Sequence, residues 1–476
     1  MNSLLLACYH GMPASLRSAA ATIRGWYLRR WRYNRGSDQL ATEALERDRW
    51  TGAQWHKWRE ERIAYVLQRA ATRVPYYREQ WAARRRGGDT ASPELLANWP
   101  LLEKDTVRAN PRAFLADDCD PKQMFHEQTS GTTGKPLGIW RTKDTVSSIQ
   151  AIADARTRMW DGIPRDARWA RLGGQLVIPI KQRRPPFWVW NAAMRQLYLS
   201  SFHLAPDLIP HYLDALARYR VLYIAAYPSS LYALAREALR LGRTDITMTA
   251  VYTNAEPVLP EHRATIAEAF QCQVRETYGM TETVAAASEC DAGRLHAWPE
   301  FGHVEVREDG EFICTGLLNL EMPLIRYRVG DHGSPAPASA DDGTSGCDCG
   351  RGLPLMGSIG GRTNDLLLTP DGRQVFWLNP VFYGLQGVRQ SQIVQEKIDL
   401  LRVLIAPAPG FTPAIARTIV ERLRQRMGEV RVLVDQVEEV PRTSNGKLRA
   451  VICNLSPAQR AEALERRVAV TTGAES

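Results

Sequence analysis

Apolar runs alternate with longer amphipathic stretches in the middle of the chain. The apolar runs Val221–Ala225 and Met248–Tyr252 alternate with the stretches Asp207–Arg218 and Ser230–Leu241, whose apolar positions have helical spacing. Strands and helices in regular alternation are typical of βαβ units that form a parallel sheet. The pattern therefore predicts an α/β core between residues 165 and 260.

The two ends of the chain follow different patterns. Residues 1–110 are charged and helical in periodicity, whereas residues 300–330 carry short β-type runs separated by turns. Further on, the pattern predicts a strand at Leu401–Ala406, a helix at Pro413–Met427 and a second strand at Val430–Val434. This last group predicts a small α+β domain.

A chain of 476 residues is long for one hydrophobic core, so several domains are expected. We predict a basic N-terminal arm at residues 1–44 and a large domain of layered β-sheets and helices at residues 45–361. A small, mobile α+β domain follows at residues 362–476, after a hinge. The predicted fold class is thus α/β and α+β.

The composition is that of a globular protein, with 44% hydrophobic and 24% charged residues. No apolar run reaches 18 residues, and the first residues lack the basic and apolar regions of a secretory signal, so we expect a cytoplasmic protein. Eight cysteines in such a chain do not indicate a disulfide framework. Four isolated cysteines are expected to be buried as small apolar residues: Cys8, Cys119, Cys272 and Cys453.

The net charge is +9, and residues 1–37 contribute six arginines and no acidic residue. Apolar side chains alternate with these arginines at Leu16, Ile23, Trp26, Tyr27 and Trp31. The favoured interpretation is a surface helix that packs its Trp face on the main domain. The alternative is peripheral contact with an anionic membrane. Nucleic-acid binding is not expected, because no recognition motif accompanies the charge.

The most informative segment is Glu127–Pro136, with the sequence EQTSGTTGKP. Such a run of small and hydroxylated residues can form a turn whose N–H and hydroxyl groups converge on an anion, with Lys135 supplying positive charge. Pro136 follows the lysine where a Walker A loop has Ser or Thr, so this is a different phosphate loop. The alternative for the segment alone is an ordinary Gly/Thr-rich hairpin turn.

Four further motifs follow in order: YGMTE at Tyr278–Glu282, YRVGD at Tyr327–Asp331, GRTND at Gly361–Asp365 and PRTSNGK at Pro441–Lys447. Together with the phosphate loop they resemble the adenylate-forming superfamily of acyl-CoA synthetases, luciferases and peptide-synthetase adenylation domains. The supporting segments are Arg73–Arg78, Pro100–Lys104 and Thr253–Pro257. They resemble the branch of phenylacetate–CoA ligase, coenzyme F390 synthetase and CapK-like proteins.

The resemblance implies an adenylate-forming enzyme fold and ATP as a substrate. The implied phosphate-binding residues are Thr129, Ser130, Gly131, Thr132, Thr133, Gly134 and Lys135. The implied residues on the adenine side are Asn254, Ala255, Glu256, Pro257, Tyr278 and Gly279. Asp331 would accept the ribose hydroxyls, and Arg362 would contact ribose or phosphate.

Three residues are implied in catalysis itself. Thr281 would donate to the α-phosphate, Glu282 would hold Mg²⁺, and Lys447 would bridge the carboxylate and the α-phosphate. The residue chemistry is consistent with these roles, because phosphoryl chemistry depends on positioned cations and donors, and Mg²⁺ prefers oxygen ligands.

A zinc site is a separate prediction. Cys347 and Cys349 are one residue apart in a Gly-rich turn, and Cys290 and His296 form a second short segment upstream. Thiolate and imidazole ligands from two short loops match a closed structural Zn²⁺ site. The alternatives are four unrelated residues, or a cysteine pair in redox exchange.

The motifs leave the acceptor open. The first hypothesis is an acid–CoA ligase that forms an acyl-adenylate from a small carboxylic acid and passes the acyl group to CoA. In the second, a non-CoA amine or hydroxyl takes the acyl group in polysaccharide biosynthesis, or the reaction is an F390 synthetase-like adenylylation. The third is a non-catalytic, membrane-docked scaffold. By analogy, the acid would bind beside Gly173, Gly174, Tyr227 and Ala255, which would equally suit a packed turn.

Overall fold

The structure is a computed structural model. It describes residues 8–128, 137–179, 182, 184–205, 207–336, 346–362, 367–371, 374–375, 378–382, 385, 387–442 and 448–463. The chain divides into two compact units. The first unit comprises Met1–Ala255, Thr265–Val329 and Pro335–Ser358, and the second comprises Glu256–Ala264, Gly330–Ser334 and Ile359–Ser476.

The longer helices are α1 (Ala14–Arg32), α2 (Arg35–Arg47), α3 (Gly52–Arg73), α4 (Pro75–Arg86), α5 (Lys104–Ala109), α6 (Lys143–Ala155), α7 (Ile209–Tyr219), α8 (Pro228–Arg240), α9 (Pro260–Phe270) and α10 (Pro413–Met427). Polar side chains begin several of them. Asn34 and Thr51 each accept the N–H of the third helical residue and form capping boxes at the start of α2 and α3. Such caps satisfy N–H groups that have no partner within the helix.

The strands are β1 (Phe125–Gln128), β2 (Gly138–Arg141), β3 (Trp169–Gly173), β4 (Trp188–Asn191), β5 (Gln196–Ser200), β6 (Tyr223–Ala226), β7 (Ala250–Thr253), β8 (Gln273–Gly279), β9 (Ala286–Glu289), β10 (Leu295–Ala297), β11 (Gly302–Val306), β12 (Glu311–Gly316), β13 (Tyr327–Gly333), β14 (Ile359–Arg362), β15 (Leu367–Leu368), β16 (Gln374–Val375), β17 (Val388–Lys397), β18 (Leu400–Pro407), β19 (Arg431–Gln436) and β20 (Val451–Cys453).

The core of the first unit is an eight-stranded sheet in the order β10-β9-β8-β7-β6-β3-β5-β4. Its five central strands are parallel, and antiparallel strands lie on both sides. Helix α7 connects β5 to β6, and helix α8 connects β6 to β7. This arrangement confirms the α/β core that the sequence predicts, with the helices displaced by one or two residues at their ends. The two apolar runs form central strands of this sheet. Parallel strands are covered on both faces, so their side chains are apolar on both sides.

A second sheet has the order β11-β12-β13-β14. Every residue of β12 is buried, including Cys314. Strand β13 runs from the first unit into the second, where Asp331 pairs with Arg362 of β14.

The second unit contains a four-stranded sheet in the order β19-β18-β17-β20. Helix α10 has the predicted bounds, and its buried Ile419, Leu423 and Met427 belong to the same apolar cluster as Val403 and Ile405 of β18. The sequence predicts β18 and β19, whereas the ten-residue strand β17 is absent from the prediction. The unit has the predicted α+β character.

Two expectations about single side chains are wrong. Cys8 is exposed, and Cys119 and Cys272 are only partly buried, so of the four isolated cysteines only Cys453 is buried as expected.

Helix α1 does not pack all of its Trp face on the main domain. Trp31 stacks on Phe125 with ring centroids 5.2 Å apart, but Trp26 is 66% exposed. In the described part of the chain, no helix is long and apolar enough to cross a membrane.

Candidate active site and metal cluster

The carboxyl ends of three neighbouring parallel strands meet at one edge of the main sheet. Ala226 of β6 lies opposite Thr253 of β7, and Thr253 lies opposite Glu276 of β8. The N–H of Asn254 donates to the carbonyl of Ala226 (3.3 Å). In open α/β sheets, ligands bind outside this edge, where the loops leave the strands.

The residues predicted on the adenine side in the first unit lie at this edge. Asn254 and Ala255 follow β7 directly, and Tyr278 and Gly279 end β8. Ala255 has φ +64°, a left-handed conformation that is uncommon for a residue with a side chain and turns the chain sharply after the strand. The ring of Tyr278 meets that of Phe312 edge-on, with centroids 6.5 Å apart.

Glu282 is the centre of a buried charged cluster. Its Oε1 accepts hydrogen bonds from Lys104 Nζ (2.8 Å) and from the Tyr327 hydroxyl (3.1 Å). Only 6% of Glu282 is exposed. Burial by itself would raise the pKa of Glu282, but the charge and hydrogen bond of Lys104, together with the Tyr327 hydroxyl, lower it below its usual range. Glu282 is therefore ionised at neutral pH.

The segment before α5 brings Lys104 to this carboxylate. Leu102 forms a parallel bridge with Tyr327, because its N–H donates to the carbonyl of Arg326 (2.9 Å) and its carbonyl accepts the N–H of Arg328 (3.0 Å). The backbone pairing leads directly into α5, whose first residue is Lys104. Two distant parts of the sequence thus supply the two partners of Glu282.

Arg141 joins the predicted phosphate-loop hairpin to the YGMTE motif. Strands β1 and β2 pair antiparallel, and Gln128 lies opposite Gly138. From β2, the buried Arg141 guanidinium donates to Glu127 Oε2 (2.6 Å) and to Thr283 Oγ1 (2.8 Å). Thr283 follows the two predicted catalytic residues, of which Thr281 is half-buried. The hairpin base and this motif are therefore connected by direct hydrogen bonds.

Several predicted residues lie outside the described part of the chain. They are the phosphate loop Thr129, Ser130, Gly131, Thr132, Thr133, Gly134 and Lys135, and Lys447. Their roles stay predictions that rest on the resemblance.

The second unit carries the remaining predicted nucleotide contacts. Glu256 and Pro257 begin this unit, and Glu256 Oε1 accepts the N–H of Leu448 (2.9 Å), the residue after Lys447. Asp331 is buried in β13 and is the register partner of Arg362. The unit therefore brings the backbone next to Lys447 close to Glu256, and it places the ribose-binding candidates on paired strands.

The predicted acid-binding residues lie at the same edge of the main sheet. The Tyr227 hydroxyl accepts the N–H of Gly174 (3.4 Å), and the Ser201 hydroxyl donates to the carbonyl of Gly173 (2.9 Å). Both contacts connect the end of β3 to neighbouring loops. The sequence leaves two alternatives for these residues, an acid-binding slot or a packed turn. The two hydrogen bonds form a polar turn at this position.

The four predicted zinc ligands come together in the first unit. The ligand atoms of Cys290, His296, Cys347 and Cys349 all lie within 4.8 Å of one another. Cys290 Sγ is 3.7 Å from Cys347 Sγ, and Cys349 Sγ is 3.3 Å from His296 Nε2. A disulfide has sulfur atoms about 2.05 Å apart, so the thiols are separate. Two thiolates on a tetrahedral Zn²⁺ lie about 3.8 Å apart, given Zn–S bonds of about 2.3 Å.

Neighbouring groups orient this cluster. His296 Nδ1 is 3.0 Å from the carbonyl of Leu353, which leaves Nε2 directed toward Cys349. A backbone carbonyl on the far ring nitrogen is the usual support of a metal-binding histidine. Trp160 lies edge-on to His296, and the Arg351 guanidinium covers Trp160 at 4.2 Å from the ring centroid.

Three residues that contact the motif residues were not predicted from the sequence: Lys104, Tyr327 and Arg141. Lys104 and Tyr327 lie inside motif segments that support the resemblance, but the sequence assigns no function to either residue. Arg141 carries no motif signal, because its partners are set by the hairpin register and by the turn at Thr283.

Comparisons with known proteins identify the family. The AMP-binding enzyme family matches residues 56–307, and the CapK C-terminal domain matches residues 367–454. The chain is 25% identical to Protein CapK of Staphylococcus aureus over 369 residues, which cover 75% of this chain and 80% of that protein. It is 26% identical to phenylacetate-coenzyme A ligase of Pseudomonas putida over 332 residues, covering 65% and 70% of the two chains.

Among solved structures, 2-hydroxyisobutyryl-CoA ligase in the postadenylation state with 2-HIB-AMP is similar in fold. The TM-score is 0.61 at 20% identity, with 88% of this chain and 94% of that chain covered. The AMP-binding match spans more than half of the chain. The protein is thus a member of the AMP-binding, adenylate-forming enzyme family, in its CapK and phenylacetate–CoA ligase branch, and an AMP-forming ligase.

Proposed function

We propose that the protein activates a carboxylic acid with ATP, forming an acyl-adenylate and pyrophosphate, and then transfers the acyl group to CoA. The observation that carries this proposal is the meeting of Asn254, Ala255, Tyr278 and Gly279 at the strand ends of the main sheet. Family membership supports ATP use and argues against the scaffold alternative.

In this proposal the acid's carboxylate attacks the α-phosphate of ATP, the bond to the bridging oxygen breaks, and pyrophosphate leaves. Negative charge grows on the phosphate oxygens, so positioned cations and donors supply the catalysis. Residues 129–135 would hold the leaving pyrophosphate, Thr281 would donate to the α-phosphate, and Lys447 would bridge both reactants. Asp331 and Arg362 would bind the ribose side.

Glu282 fits a role beside Mg²⁺, because it is an ionised carboxylate and Mg²⁺ prefers oxygen ligands. The cation would neutralise phosphate charge. Lys104 would act as a positioning residue, since it holds Glu282 in place through Oε1.

CoA as the acceptor is supported by the named phenylacetate-coenzyme A ligases among the relatives. The second candidate is that an amine or hydroxyl of another molecule takes the acyl group, because the motifs of the adenylation step do not specify the acceptor. Both candidates share the adenylation step.

The test is carboxylate-dependent ATP–pyrophosphate exchange over a panel of aromatic, acyl and amino acids, with Lys447→Ala as the blank. We expect exchange with one class of acid and none in the variant. Product analysis with and without CoA then separates the two acceptors. Exchange that is the same in Lys447→Ala, or no exchange with any acid, would count against the proposal.

We also propose that Cys290, His296, Cys347 and Cys349 hold one structural Zn²⁺. Four soft ligands with separate thiols and an oriented imidazole fit a closed tetrahedral site, which needs no open position. The ion would fasten the turn at Cys347–Cys349 to the β9–β10 pair, because Cys290 directly follows β9 and His296 lies within β10.

A further inference from the structure

Helix α1 covers the free edge of the main sheet with its polar side. β4 is the last strand of the eight-stranded order, so one of its backbone edges lacks a neighbouring strand. The N–H of Trp190 donates to Ser18 Oγ (3.3 Å), and the N–H of Ala192 donates to Thr22 Oγ1 (3.1 Å). Hydroxyls one turn apart on α1 therefore satisfy donors that a sheet edge leaves unpaired.

The same side of α1 is held closely to the sheet. Gly25 is buried, and a Cβ at this position would lie 2.2 Å from Asn191 Oδ1, so a larger residue would have to displace the buried Asn191 side chain. One turn further on, the Arg29 guanidinium donates to the carbonyl of Ala193 (2.9 Å). The orientation of the helix about its axis is fixed by these contacts.

The opposite side of α1 presents a row of large apolar side chains to solvent. Leu16, Ile23, Trp26 and Tyr27 are 54%, 72%, 66% and 56% exposed. At 3.6 residues per turn they fall within an arc of about 100°. This distribution is the reverse of the usual one for a surface helix, because small and polar residues contact the sheet edge while four large apolar residues face outward.

This row is unusual within the molecule. Eleven large hydrophobic residues are exposed in the described part of the chain, and four of them form this single face. Isolated exposed apolar side chains are normal, whereas several on one face are typical of a surface that contacts a protein or a membrane.

The positive charge beside this row indicates which kind of surface it contacts. Arg24 and Arg30 are exposed on the same helix, and within the described residues no carboxylate forms an ion pair with either. Residues 1–37 contain no acidic residue. Trp and Tyr favour the boundary between lipid headgroups and acyl chains, and arginines beside them favour anionic lipids.

We infer that α1 docks the protein on an anionic phospholipid membrane. The helix lies in the plane of the interface, with Leu16, Ile23, Trp26 and Tyr27 in the headgroup boundary and Arg24 and Arg30 at the lipid phosphates. The opposite face stays on β4, so docking needs no unfolding of the edge contacts.

The test is co-sedimentation of the full-length protein with vesicles of phosphatidylcholine plus phosphatidylglycerol, and with vesicles of phosphatidylcholine alone. We expect sedimentation with the anionic vesicles only. The double variant Arg24→Gln/Arg30→Gln should bind about 30-fold more weakly, and Ile23→Ser/Trp26→Ser more than about tenfold more weakly. Leu95→Ser is the matched control, because Leu95 is 61% exposed elsewhere, and it should bind as the wild type does.

All of these positions are on the surface, so the variants should keep the wild-type melting temperature and pyrophosphate exchange. Wild-type protein that stays in the supernatant with anionic vesicles would overturn the proposal. Equal sedimentation of Ile23→Ser/Trp26→Ser and the wild type would do the same. If light scattering shows a wild-type dimer that Ile23→Ser/Trp26→Ser converts to a monomer, the face is an interface between copies and lipid docking is wrong.

Discussion

Lys104 Nζ lies 2.8 Å from Glu282 Oε1, although 178 residues separate the two in the chain. The pair places a cation against a carboxylate of the YGMTE motif that is almost fully buried. Tyr327 adds a hydroxyl to the same oxygen. The cluster joins three of the motif segments through a single carboxylate oxygen of Glu282.

Lys104→Met tests this relationship. We expect a loss of stability between about 1 kcal/mol, as for exposed pairs, and about 3 kcal/mol, as for buried ones, because Lys104 is partly exposed while Glu282 is not. Adding Glu282→Gln should restore part of that stability, since the buried charge is then gone. Denaturant unfolding of the two single variants and the double variant measures the coupling. Strictly additive losses would contradict a direct interaction.

The metal cluster predicts one zinc ion per chain. Elemental analysis of the purified protein should find it, and Cys347→Ser and Cys349→Ser should each lose it, because a closed four-ligand site has no spare ligand. Cys119→Ser is the control, since Cys119 is also partly buried but lies outside the cluster. A chelator should lower the melting temperature of the wild type. A zinc content in Cys347→Ser equal to that of the wild type would contradict the proposal.

Arg156 is fully buried between two acidic residues. Its guanidinium donates to Asp48 Oδ1 (2.9 Å) and forms two bonds to Glu300 (2.6 and 2.9 Å). Arg156→Met leaves the buried Asp48 without a counter-charge and leaves Glu300 with Arg47 as its remaining cation, and we expect a loss of about 3–5 kcal/mol in the free energy of unfolding.

The matched control is Arg243→Met, because Arg243 also pairs with two carboxylates, Asp214 and Asp245, but near the surface. Its loss should stay within about 1 kcal/mol. Urea unfolding compares the two variants, and similar losses would show that burial of the Arg156 cluster is not what determines its contribution.

His303 is expected to contribute to the pH dependence of the free energy of unfolding. Burial, with a smaller effect of Arg59, lowers the pKa of His303 to about 4. Between pH 7 and pH 5 the unfolded chain takes up a proton on this histidine, whose ordinary pKa is about 6.5, and the folded chain does not. Stability therefore falls as the pH falls through this window. His303→Gln should lose less stability between pH 7 and 5 than the wild type does, by denaturant unfolding at both values.

Lys447 is expected to act only in the first half-reaction. Lys447→Ala should abolish adenylate formation, while thioester formation from preformed acyl-adenylate and CoA should be much less affected. Single-turnover assays of each half-reaction measure this difference. Equal loss of both would show that Lys447 has another role.

Local patterns determined much of the fold. The helix Pro413–Met427 has its predicted bounds because a Pro at its start and an apolar stripe along it are local signals. The central parallel strands were equally predictable, since strands buried on both faces are continuous apolar runs. Strand β17 was not predicted, because seven of its ten residues, such as Arg389, Gln390 and Gln392, are polar.

By itself, the sequence determined the order of the motifs, the α/β and α+β elements and the choice of Cys290, His296, Cys347 and Cys349 as candidate metal ligands, because these depend on residue types at short spacing. Only the tertiary structure decided which distant groups meet. It brought Lys104 to Glu282 through the pairing of Leu102 with Tyr327. It also turned the apolar face of α1 outward, against the usual expectation for a surface helix. A helical pattern shows that two faces differ, but close packing at Gly25 and the unpaired donors of β4 decide which face is covered.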